Sequence, residues 1–367
     1  MTRLNDLFRE EGQSPWMDNL KRGWLHSGEL QDWVSKGIRG VTSNPSIFEK
    51  SMTETDDYDA QLKELLSTGK NITECYWDLV LSDIHGALEV LRPTYDESNG
   101  ADGYVSVEVD PRLARDSIGT IHAARSLHQE INKPNALIKI PATRESLPAV
   151  ETMISEGRSV NVTLIFSLSR YEEVMEAYLS GLEKCSGDLS AITSVASFFI
   201  SRTDTEVDKR LDVLDSERSQ ELKGKAAVAL GQKAYGIFKE TFSGSRWEAL
   251  SARGANVQRP LWASTSTKNP EYPATLYVDT LIGPNTVNTL PNATIEEFEA
   301  YGTVARTLDA DPEKAEEVLS ELTNLGVDFE DVGSVLEEEG ITSFINSFEN
   351  LIENLSSKAA SLSNFAE

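Results

Sequence analysis

Cysteine is nearly absent from this chain: Cys75 and Cys185 are the only two in 367 residues and belong to no CxxC or Cys/His pattern. That leaves no basis for a disulfide framework or a structural zinc site, and it fits a reducing cytosol. Histidine is almost as scarce. His26, His85, His122 and His128 show no spacing that suggests shared metal ligation. Long apolar runs are missing too, since nothing approaches the ~20 residues needed to span a bilayer. Met1 to Gly12 is charged and lacks the apolar centre of a signal peptide, so a cytoplasmic protein without a membrane partner is expected. Positive charge is short, with 34 basic against 60 acidic residues and a net charge of −26. Nucleic acid and anionic membrane surfaces both require a basic face, and this balance argues against them. No glycine-rich dinucleotide fingerprint is present.

What the chain does contain is a strand and helix alternation along its whole length. Eight short strand candidates are marked by their apolar and β-branched runs: Pro15 to Leu20, Gly40 to Asn44, Gly103 to Asp110, Asn135 to Ala142, Ser159 to Phe166, Ile192 to Ile200, Arg259 to Thr265 and Thr275 to Gly283. Helix starts punctuate the spaces between them. Asp110-Pro111 and Asp311-Pro312 read as N-caps followed by proline at the first helical position, and Ser169-x-x-Glu172 reads as a capping box. Repeated βα units imply a parallel sheet covered on both faces, and eight of them fit a closed (β/α)8 barrel better than an open sheet. The expectation is one barrel domain over residues 1–367, with 294–367 as a helical C-terminal extension packed on it.

Alternation sorts each strand into two faces. In Val105 to Asp110 the valines share one side, which leaves Ser106, Glu108 and Asp110 on the other. The same rule sets Lys139 opposite Ile138 and Ile140, and sets Asn161 and Thr163 opposite Val162, Leu164 and Phe166. Asp18, Thr42 and Asn44 can likewise face inward. Lys139 carries the chemistry, because an apolar strand disfavours an ammonium and a neutral amine can attack a carbonyl carbon to form an imine. A strand-end lysine that snorkels to water is the competing reading. A second competitor is a buried Glu108–Lys139 salt bridge, which would hold the amine charged and unreactive. Asp18 and Asn44 could equally cap turns, and Asn161 and Thr163 could be ordinary hydrogen-bonded barrel residues.

Gly40-Val41-Thr42-Ser43-Asn44-Pro45-Ser46-Ile47-Phe48 and Ala136-Leu137-Ile138-Lys139-Ile140-Pro141-Ala142-Thr143 closely resemble the two signature segments of the transaldolases. The resemblance continues through Asn161-Val162-Thr163, Ser197 to Arg202 and Trp262-Ala263-Ser264, and so covers most of the chain. It implies a single (β/α)8 barrel that moves a dihydroxyacetone unit between sugar phosphates without a metal or cofactor, in the pentose phosphate pathway. Lys139 would form the imine. Glu108 would act as acid and base through a water beside Thr163, and Asp18 would take the proton from the hydroxyl on the carbon being cleaved. Asn44, Asn161 and Ser197 would hold the dihydroxyacetone fragment, and Arg202 would bind phosphate. Many transaldolases carry a second arginine shortly after the serine that Ser264 resembles. This chain has Lys268 there, so either that lysine replaces the arginine or nearby hydroxyls bind instead.

The small fructose-6-phosphate aldolases are similar but typically carry glutamine at the Glu108 position and tyrosine at the Phe199 position. Both residues here favour group transfer, and an apolar Phe199 would limit proton delivery to the carbanion intermediate. A simple aldolase is the nearest alternative, and a barrel that binds phosphosugars without turning them over is the alternative from another class. The set Asp18, Glu108 and Lys139 argues against the latter. The expected partners are sugar phosphates, with the chain working as a monomer or homodimer.

Overall fold

Each inward and outward row of side chains was set by the period of two, and in the computed structural model those rows close on themselves. The structure describes residues 2–214 and 216–364. Its strands are β1 (Gln13–Met17), β2 (Gly40–Thr42), β3 (Tyr104–Glu108), β4 (Ala136–Pro141), β5 (Val160–Ile165), β6 (Ser194–Phe199), β7 (Gln258–Ala263) and β8 (Thr286–Leu290). Each is parallel to its neighbour, and β8 pairs with β1 to complete the barrel. Val105, Val107, Ile138, Ile140 and Val162 lie in the layer between strands and helices. Trp16, Leu137, Val195, Leu261 and Val287 fill the lower interior. The barrel is therefore packed solid below its upper rim, as a core rather than a pore.

Its N-terminal end is closed by one buried carboxylate. Asp102, 1% exposed, accepts from Ser14 Oγ (2.7 Å), Trp16 Nε1 (3.1 Å), Arg39 Nε (2.8 Å) and an Arg259 NH2 (3.2 Å). A buried charge is tolerated only when paired and hydrogen-bonded in this way. Arg259 stands near the start of β7, at the end opposite the strand C-termini.

Three expectations need correction. Thr275 to Gly283 is not the eighth strand; it holds a short helix, Leu276–Asp279, and β8 lies at Thr286–Leu290. The buried Tyr277, Val278, Leu281 and Ile282 recur at helical spacing, whereas Thr-Val-Asn-Thr-Leu carries the β-branched residues. The helix after β5, Leu168–Lys184, is capped by Ser167, whose Oγ accepts from the Arg170 amide at 3.2 Å, and Ser169 does not cap it. Ser169 Oγ instead meets Glu330 Oε2 at 2.6 Å. Finally, Leu164 does not share the outward face of Val162. Its φ of +63° falls in a register break between Val162 and Ile165. This bulge turns Ile165 outward and sends Leu164 and Phe166 into the upper cluster with Phe199.

Asn292–Tyr301, Pro312–Asn324 and Phe329–Asn364 are the helices that follow β8. The extension thus begins two residues before Thr294, and residues 365–367 of the expected span lie outside the described residues, as does residue 1. Phe329–Asn364 runs across the C-terminal end of the barrel, packing on the helix Pro45–Glu54 after β2, on the end of β5 and on the helix Ser201–Leu214 after β6. Gly340 is the close-approach point, where a Cβ would sit 3.1 Å from Leu164 Cδ2 and 3.4 Å from Phe166.

Asp204, in the helix after β6, carries a consequence for stability. Burial pushes its carboxyl up to about 7, although the Ala227 amide and the Tyr277 hydroxyl each donate to it at 2.8 Å. An unfolded aspartate titrates near ~4, so between about pH 4 and pH 7 the folded chain binds the extra proton. The stabilising contribution is complete below that window and is lost as pH rises through 7. Asn stays neutral and keeps a carbonyl oxygen for one donor, and its amide can donate to Tyr277 in return. Asp204→Asn is therefore expected to gain stability relative to the parent between about pH 5 and pH 8, on the order of 2 kcal/mol. Urea midpoints at the two pH values check this; an offset that does not change with pH would refute it.

Candidate active site

The upper rim of the barrel is where polar inner-face residues from neighbouring strands meet. Glu108 and Lys139 are register partners in β3 and β4, and Lys139 and Asn161 are partners in β4 and β5. Parallel pairing alone thus brings Glu108 and Lys139 side by side. Lys139 Nζ lies 3.5 Å from Glu108 Oε2 and donates to the Ser43 carbonyl at 3.0 Å, with its side chain only 6% exposed. Its surroundings are therefore polar, contrary to the apolar setting that the strand sequence suggested. Short charge-assisted bonds lie at about 2.7–2.9 Å, so this ion pair is a loose one. Glu108 Oε2 and Thr163 Oγ1 are both buried without a hydrogen-bond partner among the described residues.

Asp18 sits just past β1, its amide bonded to the Leu290 carbonyl at 2.9 Å. Thr42 Oγ1 donates to Asp18 Oδ1 at 2.7 Å and lies 2.7 Å from Thr289 Oγ1, so one hydroxyl joins β1, β2 and β8. Burial pushes the Asp18 carboxyl up, against the opposing pull of Lys139. Burial likewise raises Glu108, again opposed by Lys139, while the charge of Asp18 adds to the rise. Two carboxyls reluctant to ionise thus flank one amine, an arrangement suited to passing protons.

A cavity of about 190 Å³ opens above these groups. Lys139, Asp18, Thr163, Asn44 and Ser197 line its deep part, and Phe199, Arg202, Ser264 and Lys268 line its outer part. Glu108 and Asn161 are not on its wall. Glu108 stands behind Lys139, and Asn161 is fully buried, donating to Ser106 Oγ at 3.0 Å and accepting from Ser197 Oγ at 2.7 Å. One Nδ2–H and one lone pair of Oδ1 are used in these bonds, through which Asn161 also orients Ser197.

The cations gather at the mouth. Arg202 occupies the first turn of Ser201–Leu214, the end of a helix where amide groups and the dipole favour anions. Its guanidinium lies 5.4 Å from the Phe199 ring. Burial pushes Arg202 down, and Lys268 is pushed down by desolvation and then by the Arg202 charge. Among the described residues neither forms a salt bridge, while Lys268 Nζ donates to Ser266 Oγ at 2.7 Å. Two like charges near one another, opposed only beyond salt-bridge distance by Glu339 and Asp18, form a local anion site in a chain of net charge −26. Ser264 adopts φ +55° and is held by Ser201, whose amide donates to its carbonyl at 3.0 Å and whose hydroxyl meets its own at 3.0 Å. Strained backbone of this kind concentrates at functional sites.

Sequence reasoning left Thr289, Ser266 and Phe344 out of the site, and gave Thr42 and Ser43 no role. Alternation had already turned Thr42 inward. The Ser43 contact runs through a backbone carbonyl, which no side-chain pattern marks. Phe344, 5% exposed on Phe329–Asn364, walls the cavity from far along the chain. Among the described residues no group of three His, Cys, Asp or Glu side chains is spaced to hold a metal ion. No described helix is long and apolar enough to cross a membrane.

Comparison with known proteins agrees with this geometry. The family model described as transaldolase/fructose-6-phosphate aldolase matches residues 15–355. A transaldolase of Thermobifida fusca is 46% identical over 356 residues, covering 96% of this chain and 97% of its own. One from Mycobacterium tuberculosis is 47% identical over 348 residues, covering 93% of each chain. One from Parafrankia is 46% identical over 357 residues, covering 96% of each. A closed barrel with an amine and two carboxyls at its rim, matched by relatives of this closeness along nearly its whole length, places the chain in the transaldolase/fructose-6-phosphate aldolase family.

Proposed function

We propose that this protein is a transaldolase that interconverts sedoheptulose 7-phosphate plus glyceraldehyde 3-phosphate with erythrose 4-phosphate plus fructose 6-phosphate, through an imine on Lys139. The observation that carries the reading is the placement of Lys139 Nζ between a cavity and Glu108, at 3.5 Å. Burial favours the protonated carboxyl, so Glu108 can accept the ammonium proton and leave a neutral amine. That amine adds to the ketose C2 carbonyl, and the hydroxyl of the resulting carbinolamine leaves as water when Glu108 returns the proton. The iminium then withdraws electrons as Asp18 takes the C4 hydroxyl proton and the C3–C4 bond breaks. An aldose phosphate departs, and an enamine remains on Lys139. It attacks the aldehyde of the incoming aldose phosphate, Asp18 returns its proton, and water releases the new ketose.

Arg202 and Lys268 are the phosphate ligands in this reading. Asn44, Asn161 and Ser197 hold the dihydroxyacetone hydroxyls, with Asn161 also bonded to Ser197. Thr163, whose hydroxyl has no partner among the described residues and lines the same cavity as Lys139, offers a contact for a proton-carrying water. Thr42 positions Asp18. We also infer that residues 1–367 act as one domain, a view supported by the packing of Phe329–Asn364 over the barrel mouth. A cytoplasmic setting is supported by the two free cysteines, both buried.

Transfer rather than simple cleavage is supported by Phe199. It is 7% exposed, packs on Phe166 at 5.1 Å and presents no proton donor to the enamine. A coupled assay with fructose 6-phosphate is expected to release glyceraldehyde 3-phosphate rapidly only when erythrose 4-phosphate is added. Phe199→Tyr is expected to raise the share of free dihydroxyacetone several-fold, the effect of one added proton donor. Equal donor cleavage with and without the acceptor would make the protein an aldolase instead, and turnover of neither kind would leave a phosphosugar binder.

A further inference from the structure

Arg202 and Lys268 come from different strand ends and repel one another, and among the described residues neither forms a salt bridge that would hold it in place. Lys268 lies in the segment that leaves β7, and among the described residues its side chain hydrogen-bonds only Ser266, two residues away. Both ends of that segment, however, are tied to the helix that bears Arg202. At the near end Ser201 bonds Ser264 through backbone and hydroxyl. At the far end the ties are two carboxylates one helical turn apart. The Tyr272 hydroxyl donates to Asp208 Oδ2 at 2.6 Å, and the Tyr277 hydroxyl donates to Asp204 Oδ2 at 2.8 Å. Each carboxylate uses its other oxygen to accept from the next segment, at the Gly224 amide (3.0 Å) and the Ala227 amide (2.8 Å). The Tyr272 ring covers Gly224 so closely that a Cβ there would lie 2.7 Å from Cζ. Asp204 is 1% exposed and Tyr277 1%, so the inner tie is dry.

We propose that Asp208–Tyr272 and Asp204–Tyr277 form a clamp that sets the spacing of Lys268 from Arg202 and so preassembles the phosphate subsite. The clamp rests on the assignment of those two cations to phosphate. It works by opposing their mutual repulsion before the ligand arrives: without it the lysine, exposed at the mouth, relaxes into solvent, and the incoming phosphate must gather it again. Preorganisation of this kind shows in binding rather than in the chemical step. Asp204, Asp208, Tyr272 and Tyr277 touch no reacting atom and are positioning residues.

Tyr272→Phe tests the clamp at its half-buried tie, where loss of one hydroxyl leaves the ring packing intact. The inhibition constant of inorganic phosphate and the KM of glyceraldehyde 3-phosphate are each expected to rise about fivefold, the scale of one ordinary net hydrogen bond. The kcat and the KM of unphosphorylated glyceraldehyde should stay as they are. In a Lys268→Ala background the same substitution should add nothing to the phosphate constant, since the group it positions is gone. Asp208→Asn keeps an acceptor for Tyr272 and is expected to stay near the parent. Tyr277→Phe offers an independent second reading should Tyr272→Phe fold poorly. Equal losses for phosphorylated and unphosphorylated acceptors, or full additivity with Lys268→Ala, would overturn the clamp. Arg202→Ala leaving the phosphate constant unchanged would instead sink the assignment of the phosphate site and this inference with it.

Discussion

Lys139→Ala is expected to abolish transfer, lowering kcat by at least about 10⁴-fold, because among the described residues the only other lysine lining the cavity is Lys268, at its mouth. Borohydride added with fructose 6-phosphate should reduce the imine and fix a dihydroxyacetone-derived mass on the peptide containing Lys139. The variant should show no such adduct. The fold should survive the change. Removing one partner of a buried ion pair usually costs 3–5 kcal/mol, roughly, through the stranded charge. Here burial already favours the neutral form of Glu108, and protonation removes most of that penalty. An adduct on any other lysine of the parent protein, or an active Lys139→Ala variant, would end the imine proposal at this residue.

Glu108→Gln is expected to lower kcat by about 10² to 10⁴, the usual worth of a positioned acid or base, with the KM values changing far less. The glutamine amide can still lie beside Lys139, but it cannot accept the ammonium proton or return one to the departing hydroxyl. Imine formation and hydrolysis should both slow, so trapping by borohydride should proceed at a reduced rate while still labelling Lys139. A parent-like rate of imine formation in this variant would remove Glu108 from the proton path and make its contact with Lys139 purely electrostatic. Asp18→Asn separates the two carboxyls: imine trapping should persist at a near-parent rate, while breakage of the C3–C4 bond fails.

Seven of the eight strands overlap the spans expected from sequence, and the inner and outer faces of β3 and β4 are as alternation placed them. The exceptions differ in cause. Thr275 to Gly283 carries its buried residues at helical spacing, a local signal for the Leu276–Asp279 helix, whereas at Leu164 the alternation yields where Phe329–Asn364 approaches the barrel. Ser167 against Ser169 is a smaller case of two equally good local caps, decided by the engagement of Ser169 with Glu330 on that same late helix.

The site divides along the same line. By itself, the order of residues determined which side chains face into the barrel, because a strand's period of two is a local property. It set Glu108, Lys139 and Thr163 on the inner face and allowed Asp18 there, while Ser197 was marked only by the family resemblance. Only the tertiary structure decided which of them touch. Strand register made Glu108 and Lys139 neighbours, closure of β8 onto β1 joined Asp18 to Thr289 through Thr42, and the turn of Asn161 toward Ser106 and Ser197 removed it from the cavity wall. Phe344 reaches the site only because its helix folds back across the mouth. Contacts between residues far apart in sequence depend on how the barrel closes and how the helices pack, and no local pattern encodes either.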